Sequence, residues 1–126
     1  MAQRYLNKKT VGPDGVTYDS ITEAKRGYEL SIMQRAGQIA GLERQVPFAC
    51  VVNGRLVCTY IADFRYTVAS TGEVVVEDVK SPRTRALHDY RIKVKLVEAL
   101  HGVNVVEYVN GTSRRSVRIA KSAKPE

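Results

Sequence analysis

The long run from Arg55 to Val68 constrains this chain most. Its even positions, Leu56, Cys58, Tyr60, Ala62, Phe64, Tyr66 and Val68, are apolar throughout, while its odd positions mix Val57, Thr59 and Ile61 with Arg55, Asp63 and Arg65. Alternation at a period of two is the signature of a strand with one buried face. Asn53-Gly54 stands just before it, a pair suited to a type I′ turn because both central residues of that turn need a positive φ. Pro47 to Val52 then reads as the hairpin partner. On the other side Ala69-Ser70-Thr71-Gly72 turns the chain into a third strand, Glu73 to Lys80, which Ser81-Pro82 stops.

Helical patterns flank this meander. Ser20-Ile21-Thr22-Glu23 has the form of a capping box, and Ala24, Tyr28, Ile32 and Ala36, with Met33 beside them, form an apolar stripe that Gly37 closes. Gln38 to Gln45 reads as a linker. A second helix is expected from about Thr84 to His101, with Leu87, Tyr90, Val94, Val97 and His101 on one stripe and Arg91, Lys93 and Lys95 off it. Gly102 breaks it, and Val103 to Val109 is a short apolar strand closed by Asn110-Gly111. Residues 1–19 read as a polar arm or short hairpin, and the tail from Thr112 as a basic arm or disordered segment. The order of helix, three strands, helix and strand (αβββαβ) implies one α/β domain over residues 1–126, a mixed central sheet flanked by helices.

Composition narrows the function classes. The hydrophobic share of 44% permits a core, and no apolar run approaches the roughly 18 residues that span a bilayer. The N-terminus lacks the apolar stretch of a signal peptide, so the cytoplasm of the producing cell is the expected location. Cys50 and Cys58 fit no zinc spacing and are expected as ordinary thiols on neighbouring strands. Twenty basic against 13 acidic residues, a formal charge of +7, favour a polyanionic partner, nucleic acid first.

The chemistry concentrates in Tyr60-Ile61-Ala62-Asp63-Phe64 and Val74-Val75-Val76-Glu77-Asp78-Val79-Lys80. Asp78 and Lys80 share a face of their strand, Glu77 takes the other, and Asp63 lies on the antiparallel neighbour. Two carboxylates converging at about 4 Å repel by roughly 4 kcal/mol at an effective dielectric near 20. A divalent cation removes that repulsion, and hard oxygen ligands suit Mg²⁺ or Mn²⁺, which polarises a phosphoryl group and supplies an attacking water. Lys80 would orient that water or offset charge at phosphorus.

An Asp followed at this distance by Asp-X-Lys, within this element order, resembles the PD-(D/E)XK nuclease superfamily. The resemblance tightens to a family of small phage and prophage proteins through Tyr18-Asp19-Ser20 with Glu23-Ala24-Lys25-Arg26, Ala36-Gly37-Gln38-Ile39 with Leu42-Glu43-Arg44-Gln45, Tyr60 to Phe64, and Glu77 to Lys80. It implies a restriction-endonuclease-like core in which Glu23 joins Asp63 and Asp78 at the metal, the Val79 carbonyl is a further ligand and Lys80 takes the lysine role. Ala62 stands where the superfamily's name has proline, a position that shapes the backbone and does no chemistry.

Each residue also has a plainer reading. Glu23 is the last member of a capping box, Asp63 a sheet-end acid, Asp78 and Lys80 an ion pair, and His88 and His101 structural; Gln45, just before the sheet, reads either as reaching the site or as a solvated loop residue. The expectation that emerges is a Mg²⁺-dependent, phage-type DNA endonuclease. Branched or recombination intermediates lead as substrate and a homodimer is natural. Arg91, Lys93, Lys95, Arg114 and Arg115 would contact the DNA backbone. The alternatives are a catalytically inactive nucleic-acid-binding module and a phage interaction protein.

Overall fold

Hydrogen bonding along the Arg55–Val68 strand organises the molecule. The computed structural model of the chain describes residues 10–11, 17–18, 20–109 and 111–115. In chain order the elements are β1 (Thr10–Val11), β2 (Thr17–Tyr18), α1 (Ile21–Arg35), β3 (Ile39–Val52), β4 (Arg55–Val68), β5 (Val74–Val79), α2 (Pro82–Arg85), α3 (His88–His101), β6 (Val105–Val109) and β7 (Thr112–Arg115). β1 and β2 form a small antiparallel pair, and β3 to β7 form one five-stranded sheet in sequence order. All its pairings are antiparallel except β5 with β6, which is parallel. This is the mixed sheet with flanking helices that the αβββαβ order implies. Among the described residues no helix is long and apolar enough to cross a membrane.

Two cores cover the two sides of the sheet. Ala24 and Leu30 of α1 pack with Ile39, Phe64 and Tyr66, while Tyr90, Val94 and Val97 of α3 pack with Val46, Phe48, Cys50, Tyr60, Ala62, Val76 and Val105. Tyr60, Ala62, Phe64 and Tyr66 have the same parity along β4, so a regular strand would send them all to one side. The chain changes sides at Asp63. Its register position on β3 is Gln45, which lies between the pairs Arg44↔Phe64 and Val46↔Ala62 and holds a φ of 53°. β4 pairs with β5 only from Phe64 to Thr67, and beyond that point the β3–β4 ribbon leaves the sheet to cover α3. A left-handed residue other than glycine is uncommon in a strand and is found where local twist re-aims side chains.

The turn chemistry follows the sequence. Asn53 and Gly54 hold φ of 51° and 78°, as a type I′ hairpin requires, and Gly102 ends α3 at φ 68°. Cys50 and Cys58 are register partners and both are free thiols. Four expectations are corrected. The segment expected as a linker, 38–45, lies mostly within β3, because β4 supplies it with hydrogen-bond partners as far as Val68. The second helix is broken in two: Ser81 caps α2 with Pro82 at its start, and a separate α3 begins at His88. The tail from Thr112 opens as β7, an edge strand paired to β6 through Thr112↔Val109 and Ser113↔Tyr108. The α1 stripe is rotated: Ala24 is buried as expected, but Tyr28 and Ile32 are exposed, and Glu23, Arg26, Gly27 and Leu30 are buried instead.

Candidate active site

Where β4 and β5 stop pairing, two acidic side chains take over the bonds that backbone carbonyls would accept. Val79 N–H donates to Asp63 Oδ2 at 2.8 Å, and Asp63 N–H donates to Asp78 Oδ1 at 3.2 Å. Strand alternation and the antiparallel neighbour thus bring Asp63 and Asp78 together, as their positions in sequence predict. Asp78 is 2% exposed. Its Oδ2 accepts a short hydrogen bond from the Tyr60 hydroxyl and lies 3.8 Å from Lys80 Nζ. Lys80 Nζ also sits 4.4 Å from the centre of the Tyr90 ring, a cation on an aromatic face.

Glu23 joins this pair through an intermediary. Ser20 Oγ accepts from Glu23 N–H at 3.1 Å, the first half of the expected cap, while the Glu23 carboxylate faces β3. Gln45 Nε2 donates to Glu23 Oε2 at 3.1 Å and stands 3.5 Å from Asp63 Oδ1. The left-handed backbone of Gln45 therefore serves a purpose: it aims the amide between the two acids. Of the two readings of Gln45, the one that reaches the acids holds.

The electrostatics are those of an acid pair short of positive charge. Burial, then the negative charge of Asp78, pushes the Asp63 carboxyl up to about 8, against the opposing pull of Val79 N–H and Lys80. Burial also raises Asp78, outweighing Lys80 and the Tyr60 hydroxyl. Tyr60 is held neutral by burial and by Asp78. Such a pair keeps a proton at neutral pH, and a divalent cation is the other species that would relieve it. The donors are all hard oxygens, a set that fits Mg²⁺ or Mn²⁺. Among the described residues, however, no three side chains of His, Cys, Asp or Glu are grouped closely enough to hold a metal ion. Asp63 and Asp78 meet directly, and Glu23 stays one glutamine away. The Val79 group that engages the site is its N–H.

Other residues fall away from the acid pair. Glu77 faces α1, where Arg26 donates to it through Nε at 2.5 Å and Nη2 at 3.0 Å, and Tyr66 through its hydroxyl at 2.7 Å. Arg91, Lys93 and Lys95 are exposed along α3. Arg114 and Arg115 lie on β7, opposite Glu107 and Val106. His101 Nε2 is bonded to Ala49 O at 2.7 Å and its ring packs edge-on against Phe48, a structural role.

Sequence reasoning missed Tyr60, Tyr90, Arg85 and Glu107. Glu107 is fully buried and accepts from Arg85 Nε at 2.6 Å and Tyr90 OH at 2.7 Å. Its only signal in sequence is an acid inside the apolar run Val105-Val106-Glu107-Tyr108-Val109. The parallel register that sets it beside Asp78 is not a local property.

No curated protein and no solved structure matches the chain. A family model does match, over residues 2–121, so the chain belongs to the family described as "protein of unknown function (DUF1064)".

Proposed function

We propose that this protein is a metal-dependent phosphodiesterase acting on DNA, a nuclease of the PD-(D/E)XK kind. The observation that carries the reading is the meeting of Asp63 and Asp78, from two different strands, beside Lys80 and short of compensating charge. A structural role does not account for it, because an unrelieved acid pair in a buried position costs stability. A bound Mg²⁺ or Mn²⁺ would supply Lewis-acid polarisation of the phosphoryl group.

The protein's own residues do the rest. Asp63 and Asp78 are the central oxygen donors, and Gln45 keeps Glu23 beside them. Tyr60 orients Asp78 through its Oδ2, leaving Oδ1 to the Asp63 backbone. Lys80, braced on the Tyr90 ring, places positive charge where an attacking water or a phosphoryl oxygen gathers negative charge. The exposed cations of α3 supply sequence-independent attraction to DNA phosphates. Branched intermediates rank ahead of linear duplex as substrate by resemblance to small phage nucleases, and that ranking fails if linear duplex is cut as fast as a four-way junction.

A second reading has its own support. Asp63 already accepts from Val79 N–H, and no group of three acids is gathered among the described residues. Both facts fit a nucleic-acid-binding module without catalysis. One assay separates the two: cleavage of labelled DNA by the wild type and by Asp78→Ala, with and without Mg²⁺ or Mn²⁺. Metal-dependent cutting that disappears in the variant supports the nuclease. Binding with no cutting under either metal overturns it in favour of the module.

A further inference from the structure

The parallel register of β5 and β6 pairs Asp78 with Glu107, so two buried acids lie side by side on the α3 face. They are equipped alike. Asp78 has the Tyr60 hydroxyl and Lys80; Glu107 has the Tyr90 hydroxyl and Arg85. The side chains of Lys80 and Arg85 are 25% and 31% exposed, against 2% and 0% for the acids that hold them. Tyr90 joins the two sets, with its ring under Lys80 and its hydroxyl on Glu107.

Arg85 does more than neutralise Glu107. The comparison is Arg26, which spends Nε and Nη2 on Glu77 and Nη1 on Glu29. Arg85 spends Nε alone, and among the described residues no other acceptor is bonded to it. Its remaining N–H groups form a planar fork of the kind that binds carboxylates and phosphates bidentately. The backbone that carries it is also anchored. Ser81 and Thr84 cap each other through Ser81 N–H to Thr84 Oγ1 at 2.9 Å and Thr84 N–H to Ser81 Oγ at 3.0 Å, and Arg85 N–H donates to Ser81 O at 3.0 Å. Glu107, which takes Arg85 Nε on one oxygen and the Tyr90 hydroxyl on the other, is an anchor for this cation.

We propose that Arg85 binds a second phosphate of the substrate, next to the one that reaches Asp63, Asp78 and Lys80, with Glu107 as its positioning residue. This rests on the phosphodiesterase reading and sharpens it. The substrate is a polynucleotide with consecutive phosphates, and a mononucleotide ester lacks half of the recognised charge.

The test uses an oligonucleotide with one cleavable linkage, prepared with either a phosphate or an uncharged methylphosphonate at the neighbouring position. For the wild type, the methylphosphonate should raise KM about tenfold with kcat nearly unchanged, the mark of a contact made equally in ground and transition states. Arg85→Ala should show that rise on the all-phosphate strand and no further rise with the methylphosphonate. Arg85→Lys keeps a charge against Glu107, guards against a folding failure, and should fall between the two. A methylphosphonate penalty as large in Arg85→Ala and Arg85→Lys as in the wild type overturns the proposal. Anisotropy binding of the same strands to Asp78→Asn, without metal, tests Arg85 independently of cleavage. A wild type that never cuts, with binding that still depends on Arg85 and the neighbouring phosphate, overturns the nuclease reading alone. Normal cutting with binding indifferent to Arg85 overturns this inference alone.

Discussion

Glu77 and Asp78 are successive residues of one strand and nearly equally buried, yet they live in opposite electrostatic worlds. Glu77 turns to α1, where Arg26 meets it with two N–H groups, Tyr66 adds a hydroxyl, and Arg26 itself lies 4.1 Å from the centre of the Tyr108 ring. Its charge is fully answered. Asp78 turns to α3 and meets a second acid, a neutral hydroxyl, and a lysine ammonium at the long distance of 3.8 Å. Burial alone therefore does not mark a functional carboxylate. The mark is a buried carboxylate whose surroundings leave negative charge over, since only such a group gains by taking a cation or a proton.

The sharpest way to break this contrast is to remove each acid in turn. Asp78→Ala should lower metal-dependent cleavage by about a thousandfold, with a melting temperature at pH 8 no lower than that of the wild type. Glu77→Ala should do the reverse in kind, destabilising the fold by about 3 kcal/mol because it leaves the buried Arg26 charge with only the exposed Glu29 as an acidic partner. Urea titration followed by circular dichroism measures that loss. Equal destabilisation by both changes would erase the distinction between the two faces.

A third effect is read from pH. The folded state holds the Asp63 carboxyl near 8, whereas its ordinary value is 3.8. Below the ordinary value both states are protonated and the folded form keeps its full advantage. Between the two values the folded form retains a proton that the unfolded chain has released, so stability falls as pH rises, and it levels off above 8. The melting temperature of metal-free protein should accordingly drop from pH 5 to pH 8, and Asp63→Asn should flatten most of that slope. A wild-type melting temperature that climbs across this window would show that the acids are not in conflict.

The smallest effect concerns the two helices. Lys95→Ala on α3 should reduce the salt dependence of DNA binding by about one unit of slope, while Lys25→Ala, exposed on α1, should leave it unchanged. Equal changes from both would remove α3 as the side proposed to face DNA.

Much of this is legible in the sequence. The existence of the β4 strand, the Asn53-Gly54 turn and the shared face of Asp78 and Lys80 follow from local patterns, whereas the single buried face expected of β4 is split at Asp63 between the two cores. The α1 face was misjudged for an equally physical reason. Apolar periodicity ranked Tyr28 and Ile32 as core, but Glu23 and Arg26 turn inward because Gln45 and Glu77 wait there, and those partners are distant in sequence. β7 was missed because Thr112-Ser113-Arg114-Arg115 carries no apolar signal; an edge strand needs only a neighbour's backbone, and β6 provides it.

From residues alone came the order of elements, the hairpin turn and the acids worth watching, because each depends on neighbours within a few positions. The pairing of Asp78 with Glu107, the switch of sides at Asp63 and Gln45, and the half-spent fork of Arg85 had to wait for the packed sheet. Register between strands far apart in the chain is set by which cores they jointly bury, and no stretch of sequence holds that information by itself.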